Sequence, residues 1–206
     1  MQIDPSTLSA LAAYKLGTSM IIPRPIAWTG TRSRDGQDNI APFSYFMGVS
    51  TRPPSVAISV ARRSDGELKD SARNILQTGV FTVSIVSYAQ VEQMNQSAAQ
   101  WPSEVSEFDS CGLTAVMGER VDAPRPQEAL ASMECRLVHS HDLGGTHLLV
   151  GEVVLYHLSD GIVVEDKRGD RVIDASALDA VCRLGIKDYA RLPETFSLPR
   201  PTTESQ

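Results

Sequence analysis

Residues 39–46, Asn39-Ile40-Ala41-Pro42-Phe43-Ser44-Tyr45-Phe46, combine an amide, a proline, a hydroxyl and three aromatics in one β-leaning run. Before them stands Pro25 to Thr31 (PIAWTGT), apolar and also β-leaning, and Arg34-Asp35-Gly36 lies between the two as a turn signal. Two such runs across a short glycine turn predict a β-hairpin. Pro42 cannot donate to a ladder, so it marks an edge strand or a bulge where backbone groups are freed. Freed N–H and C=O groups beside aromatic walls suit a flat heterocycle with polar edges. A bulged strand that merely fills the core has the same composition.

Outward from the hairpin, alternating apolar runs predict strands over Ser55 to Ala61, Phe81 to Ser87, Glu134 to His141 and Leu148 to His157. Ile162 to Val164 and Arg171 to Ile173 read as a final pair. Helical patterns are fewer. Ser71 to Thr78 has Asp70 before it as a cap and Gly79 after it as a stop. Gln90 to Ala99 and Thr7 to Leu16 are two more. Many short strands with few helices give a mainly β fold, a barrel or sandwich with peripheral helices. With no repeat and no interior linker, residues 1–190 form a single domain. Residues 191–206 are a C-terminal tail, and its Pro199-to-Gln206 end is either disordered or a strap onto a partner.

The 206 residues, 42% hydrophobic and 21% charged, exclude a disordered chain, a collagen-like repeat and a coiled coil. No apolar run approaches the roughly 18 residues of a membrane helix. A net charge of -6 has the wrong sign for a broad nucleic-acid-binding face. The three cysteines are far apart, and the N-terminus lacks a signal-peptide pattern, so a reduced, cytoplasmic protein is expected.

The sequence has no Gly-x-Gly-x-x-Gly loop, no Walker-type Gly-Lys-Ser/Thr, no His-Glu-x-x-His and no Gly-x-Ser-x-Gly. Its four histidines are not at metal-ligand spacing, so no metal is expected; His139 and His141 read as strand-surface residues. Arg62 to Arg73 carries four basic groups and ends at a helix start, where unpaired N–H groups favour a phosphate. Asp70 would oppose an anion there unless it points away. A solvated loop with a capped helix accounts equally for that cluster. Gly144-Gly145-Thr146-His147 enters a strand, which lets His147 project into a cleft or simply close a turn.

Taken in order, these segments resemble the flavin reductase-like family, which binds FMN in a split β-barrel. The matching pieces are Pro23-Arg24-Pro25-Ile26-Ala27-Trp28, then Asn39-x-Ala41-Pro42-Phe43-Ser44-x-Phe46, then Ser50 with Pro53-Pro54. Lys69-Asp70-Ser71, Arg73-Asn74-Ile75 and Met94-Asn95 follow. The later pieces are Glu107-Phe108 with Gly112-Leu113, Glu134-Cys135, His147 with Gly151-Glu152-Val153, and Arg183-Leu184-Gly185 with Tyr189. Together they run from about residue 14 to 190.

The resemblance implies an antiparallel, Greek-key split barrel that forms a homodimer with flavin near the interface. Asn39, Ala41, Pro42, Phe43 and Ser44 would border the isoalloxazine, with Trp28, Thr29 and Thr31 on the adjoining strand. Ser50, Thr51, Arg62, Lys69, Asp70 and Ser71 would surround the ribityl chain and phosphate, and His147 would lie on the nicotinamide side. FMN is the implied cofactor, FAD the variant of it, and NAD(P)H the electron donor. Gly30 stands where relatives often carry serine, and Ser71 where threonine is usual. The implied activity is NAD(P)H:flavin oxidoreduction, with reduced flavin passed to a partner monooxygenase. A flavoredoxin-like electron carrier and a flavin-binding protein without turnover need the same pocket. Because the cofactors carry the hydride chemistry, a chain with no nucleophile or metal set is consistent with all three.

Overall fold

Arg24–Pro25 (β1) leads into Ala27–Arg32 (β2), which pairs antiparallel with Asp38–Phe43 (β3), Ala27 opposite Phe43 and Thr31 opposite Asn39. The expected hairpin therefore forms. This is a computed structural model, and it describes residues 1–102, 105–192 and 195–198. The run 39–46 does not stay one strand: β3 ends at Phe43, and Phe46–Thr51 (β4) begins after a two-residue link. Pro54–Ala61 (β5), Val80–Ile85 (β6), Ala115–Met117 (β7), Pro124–Pro126 (β8), Ala131–Asp142 (β9) and Thr146–Leu158 (β10) continue the set. Val163–Glu165 (β11) pairs with Arg171–Ile173 (β12), and Val181–Arg183 (β13) lies between β1 and Tyr189–Arg191 (β14). The helices are Ala10–Met20 (α1), Asp70–Thr78 (α2), Val91–Gln96 (α3), Glu107–Ser110 (α4) and Ala175–Leu178 (α5).

Seven strands make one antiparallel sheet in the order β3-β2-β6-β9-β10-β5-β4. Its two edges, β3 and β4, are joined by Ser44 and Tyr45 alone, so the sheet must roll until its edges meet. Tyr45 stays in register with the far edge, its carbonyl accepting the Ser59 N–H at 2.9 Å. The protein is a mainly β split barrel. Several boundaries differ from expectation. The first helix is Ala10–Met20 rather than 7–16, because Ser9 caps it by accepting the Ala12 N–H at 3.2 Å. The 90–99 helix shortens to α3, preceded by a tighter turn at Tyr88–Gln90. β14 runs one residue past the domain boundary expected at 190, and much of the tail (193–194 and 199–206) lies outside the described residues.

Two cores explain why the first strands do not alternate. Ala27, Phe43, Val56, Ile58, Val60, Phe81, Val83 and Leu149 fill the barrel, and Ala72 and Ile75 of α2 plug it. Trp28 and Ile40, on the opposite face of the hairpin, pack with Met94 and Phe108 of α3 and α4. β2 is thus buried on both faces, which is why its sequence reads as a continuous apolar run.

Close approaches fix two glycines. A Cβ on Gly30 would sit 1.9 Å from the Pro124 carbonyl oxygen, since β8 lies directly across β2. Any side chain at this position, the serine expected from the resemblance included, has no room here. On Gly151 a Cβ would meet the Phe81 ring at 2.4 Å, beside a register shift between Val150 and Gly151.

Glu134 is fully buried on β9. Its carboxylate accepts the backbone N–H groups of Glu119, Arg120 and Val121 at 2.7, 2.7 and 3.0 Å, and His157 Nε2 lies 2.5 Å from Oε1. It thereby clamps the β7–β8 turn to the barrel. Burial pushes this carboxyl up, but His157 and the backbone donors outweigh it and leave the group below its usual range. A depressed pKa contributes stability at neutral pH that is lost as the pH falls through the folded-state value. Glu134→Gln puts an NH₂ donor against N–H groups. It should lower stability at pH 7 by roughly 1.5–3 kcal/mol and flatten the acid side of the stability–pH curve, read by denaturant titration from pH 7 to pH 3.

Candidate ligand-binding site

A cavity of about 480 Å³ opens where the free edge of β3 meets the start of α2. The edge is unusual in what it offers. Ile40 gives its outward N–H to Glu107 Oε2 at 3.2 Å, and position 42 is a proline. In an antiparallel strand the N–H and C=O of one residue point the same way. Positions 40 and 42 of the edge therefore offer acceptors and no free backbone donor. Pro42 marks an edge, not a bulge.

A buried polar network ties this edge to α2. Asn39 Nδ2 donates to Thr31 Oγ1 at 3.1 Å and to Ser71 Oγ at 3.0 Å, and Asn74 Nδ2 donates to the same Thr31 oxygen at 3.1 Å. Lys69, not Asp70, is the N-cap residue, and no side chain caps the helix. The Asp70 carboxylate is turned to Arg63 and Arg73 instead. The conflict expected between Asp70 and an anion is thereby removed, and the first N–H groups of α2 are left without a side-chain partner. The Lys69 ammonium lies 6.0 Å from the centre of the Phe43 ring, with no carboxylate in salt-bridge range among the described residues. Burial, and then the Arg63 charge, hold its pKa below the usual lysine value. Such a site lacks a counter-anion.

The cavity brings together Asn39, Ala41, Pro42, Phe43, Lys69, Asp70 and Ser71. Other expected residues lie elsewhere. Trp28, Thr29 and Thr31 are fully buried behind β3; Trp28 acts from behind, donating Nε1–H to Ser97 Oγ, on the cavity wall, at 2.9 Å. Ser44 sits in the β3–β4 link, its Oγ 3.4 Å from Arg24 Nε. Ser50 and Thr51 are exposed at the far end of β5 from Arg62, eight residues or about 26 Å of extended strand away. Neither is among the residues lining the cavity that holds Lys69. Arg62 spends its guanidinium on the β9–β10 turn, reaching Gly144 O at 2.9 Å and Asp142 Oδ2 at 2.6 Å. His147 is half-buried on β10 opposite Val60, its Nδ1 without a partner among the described residues, and is not part of this cavity wall.

Three contributors were not singled out as site residues in the sequence. Arg63, rather than Arg62, faces the cavity; strand alternation beyond Ala61 is the signal that separates the two. Glu107 forms the wall between β3 and the 97–102 loop, and burial pushes its carboxyl up. Trp101 closes the outer side, and nothing local in the sequence marks it.

A split barrel with an anion-seeking helix start beside an acceptor-rich strand edge defines a class: small-molecule binders for a flat ring carrying a phosphate. The sequence profile described as flavin reductase like domain matches residues 19–169, and the chain belongs to that family. An uncharacterized protein of Halalkalibacterium halodurans is 38% identical over 208 residues, covering 98% of this chain and 97% of that one. The structure is similar to nitrilotriacetate monooxygenase component B from Bacillus cereus, with a TM-score of 0.88 and 34% identity, over 96% of this chain and 98% of that one. It is also similar to the flavoredoxin of Desulfovibrio vulgaris, with a TM-score of 0.74 and 26% identity, over 86% and 91% of the two chains.

The two neighbouring arginines should separate cleanly. Arg62→Ala removes the tie to the β9–β10 turn and should lower stability by roughly 1 kcal/mol, about 2–4 °C in Tm, with little effect on anion binding. Arg63→Ala should do the reverse. Thermal melts of both variants, with and without a phosphate-bearing ligand, check this.

Proposed function

We propose that this flavoprotein is an FMN-dependent NAD(P)H:flavin oxidoreductase that seats the FMN phosphate at the start of α2. The observation that carries this reading is the uncapped helix start with the unpaired, part-buried Lys69 ammonium beside it. The residues fit the group: Lys69, Arg63 and the α2 N–H groups supply charge and donors for a phosphate, while Ser71 supplies a hydroxyl. The acceptor edge of β3 suits the N–H side of a flavin ring, and Phe43 and Trp101 supply apolar walls. When bound, the flavin takes up a hydride from a reduced nicotinamide at its own ring. The chain's part is to orient the ring, fix the phosphate and exclude water.

The reading extends to a partner. Component B of a monooxygenase among the structural neighbours supports supply of reduced flavin to a separate oxygenase. Tyr45 in the β3–β4 link and Met47 and Val49 on β4 are exposed large apolar groups at a sheet edge, which supports a homodimer with flavin near the interface. The separation of Ser50 and Thr51 from Lys69 fits the same picture, since a second chain could return them to the flavin. No helix among the described residues is long and apolar enough to cross a membrane, and we assign the protein to the cytoplasm. We also take residues 1–190 as one domain, with 191–206 as its tail.

A second reading is a flavoredoxin-like carrier that takes electrons from a protein. The position of His147, off the cavity wall, favours it, because no nicotinamide-positioning group then faces the pocket. One experiment decides between them: mix FMN-loaded protein anaerobically with NADH, then NADPH, and follow flavin absorbance. The oxidoreductase bleaches with at least one; the carrier bleaches with neither.

The phosphate seat has its own test. Lys69→Ala should weaken FMN about tenfold or more, since charge-assisted hydrogen bonds contribute roughly 1.5–3 kcal/mol. Riboflavin, lacking the phosphate, should bind equally to both proteins. Because the Lys69 pKa is lowered, the charged form that holds phosphate is lost at lower pH than for an ordinary lysine. FMN affinity should accordingly fall on the alkaline side earlier than usual, and riboflavin affinity should not.

His147 gives a further outcome. If it positions the nicotinamide, His147→Ala slows flavin reduction with FMN affinity unchanged. Misplacement of a donor by about 1 Å can cost on the order of a hundredfold in rate. If it only closes the turn, the variant melts lower and reduces at the normal rate in stopped flow.

A further inference from the structure

Glu107 opens α4 and stands beside the free edge of β3, on the wall of the cavity. It is 9% exposed. Its Oε2 accepts the Ile40 N–H at 3.2 Å, and no lysine, arginine or histidine pairs with it among the described residues. A glutamate this buried ordinarily has a partner of opposite charge. Without one, the group takes up a proton rather than keep a bare charge in a dry medium.

The charges around it favour that proton or are committed elsewhere. Burial pushes the carboxyl up; its own N–H and that of Ile40 oppose this, and Asp70 on α2 adds to it. Asp35 in the β2–β3 turn, Asp38 on β3 and Asp65 before α2 are further acids on the walls that Glu107 shares. Asp109 and Cys111 lie in its own turn. Among the cations, Arg63 and Arg73 pair with Asp70, and Arg34 donates to the Gln77 carbonyl at 3.1 Å. Lys69 is the cation assigned above to the phosphate.

A protonated carboxyl keeps an oxygen to accept from Ile40 and gains one O–H donor. That donor falls where the wall is short of them. The β3 edge offers only acceptors at 40 and 42. Asn39 spends its amide on Thr31 and Ser71, and the Ser97 hydroxyl donates to the Met94 carbonyl at 2.8 Å. The pyrimidine edge of a flavin runs carbonyl, N–H, carbonyl. The strand edge can accept the N–H; a carbonyl beside it needs a donor.

We propose that Glu107 donates its carboxyl O–H to a pyrimidine carbonyl of the flavin, beside the ring N–H that the β3 edge accepts. The proposal rests on the flavin reading of the cavity. Glu107 then holds the strand edge through Ile40 and reads the ring at the same time. Because it touches the ring and not the phosphate, its effect extends to riboflavin. A ligand that favours the protonated carboxyl binds more weakly as the pH rises through the free protein's Glu107 value.

The test titrates riboflavin, and then FMN, into flavin-free wild type, Glu107→Gln and Glu107→Ala across the neutral pH range. Glu107→Ala should weaken both ligands by roughly three- to tenfold, the effect of one neutral hydrogen bond. Glu107→Gln, whose amide can accept from Ile40 and donate to the ring, should keep the wild-type affinity of low pH and lose the pH dependence. A merely structural role leaves the riboflavin profile flat in all three proteins. A flat wild-type profile, or a loss in Glu107→Gln as large as in Glu107→Ala, overturns the proposal. Should Glu107→Ala fail to fold, the wild-type and Glu107→Gln profiles decide. If neither flavin binds, the flavin reading falls by itself. Uridine 5′-monophosphate, which carries the same pyrimidine edge and a phosphate, then decides the residue alone. Binding that weakens with pH in wild type and not in Glu107→Gln supports the proposal; a shared profile or no binding overturns it.

Discussion

Two residues, Ser44 and Tyr45, join the opposite edges of a seven-stranded sheet. Laid flat, that sheet would be six spacings of about 4.8 Å wide, or about 29 Å. From Phe43 to Phe46 the chain can reach only three Cα steps of 3.8 Å, about 11 Å. Rolling is the only solution, and much of the molecule follows from it. The rolled sheet encloses one core, α2 enters as its plug, and the β3 edge comes to lie beside the helix start.

A buried arginine holds the seam. Arg24, 3% exposed, donates to carbonyls at the end of α1 (Thr18 and Ile21) and in the β13–β14 turn (Leu184 at 2.5 Å, Gly185 at 2.8 Å). Its Nε reaches toward Ser44 in the link, and its guanidinium carbon lies 6.0 Å from the centre of the Tyr45 ring. Guanidinium has five donors in a fixed fork and is weakly hydrated, so it can be buried against carbonyls where an ammonium could not. One side chain thus ties the first helix, the barrel seam and the last turn together.

The legible parts of the fold were β5, β6, β9 and β10, which alternate with period two, and the β11–β12 pair, too short to alternate but marked by its Val-Val and Val-Ile runs on either side of a glycine turn. The division of 39–46 was not legible, because Ser44-Tyr45 carries neither glycine nor proline and the break is imposed by closure of the sheet. β7, β8, β13 and β14 are three residues long, shorter than any periodicity can resolve. At the site, the Lys69–Ser71 turn and the Asn39–Phe43 edge were readable because a helix start and a strand proline each have a local physical signature. The choice between Arg62 and Arg63, the reach of Glu107 across to Ile40 and the absence of Ser50 from the described cavity lining are tertiary facts. None has a counterpart in local sequence.

That an acidic protein should hold a phosphate, as proposed above, needs an explanation from magnitudes. The chain carries a net charge of -6, yet the helix start gathers Arg63, Lys69 and Arg73 around the carboxylate of Asp70, with Asp65 also on the cavity wall. Burial pushes the carboxyl of Glu107, another acid on the wall, up from its usual range. Charges beyond the Debye length, about 8 Å at physiological ionic strength, are largely screened. The surface acids therefore contribute little at the cavity, while the local cations and the helix N–H groups act within a few ångströms and in a drier medium. Asp70 contributes most to this balance: by pairing with both arginines it fixes their positions while leaving Lys69, which has no carboxylate partner among the described residues, for the proposed phosphate.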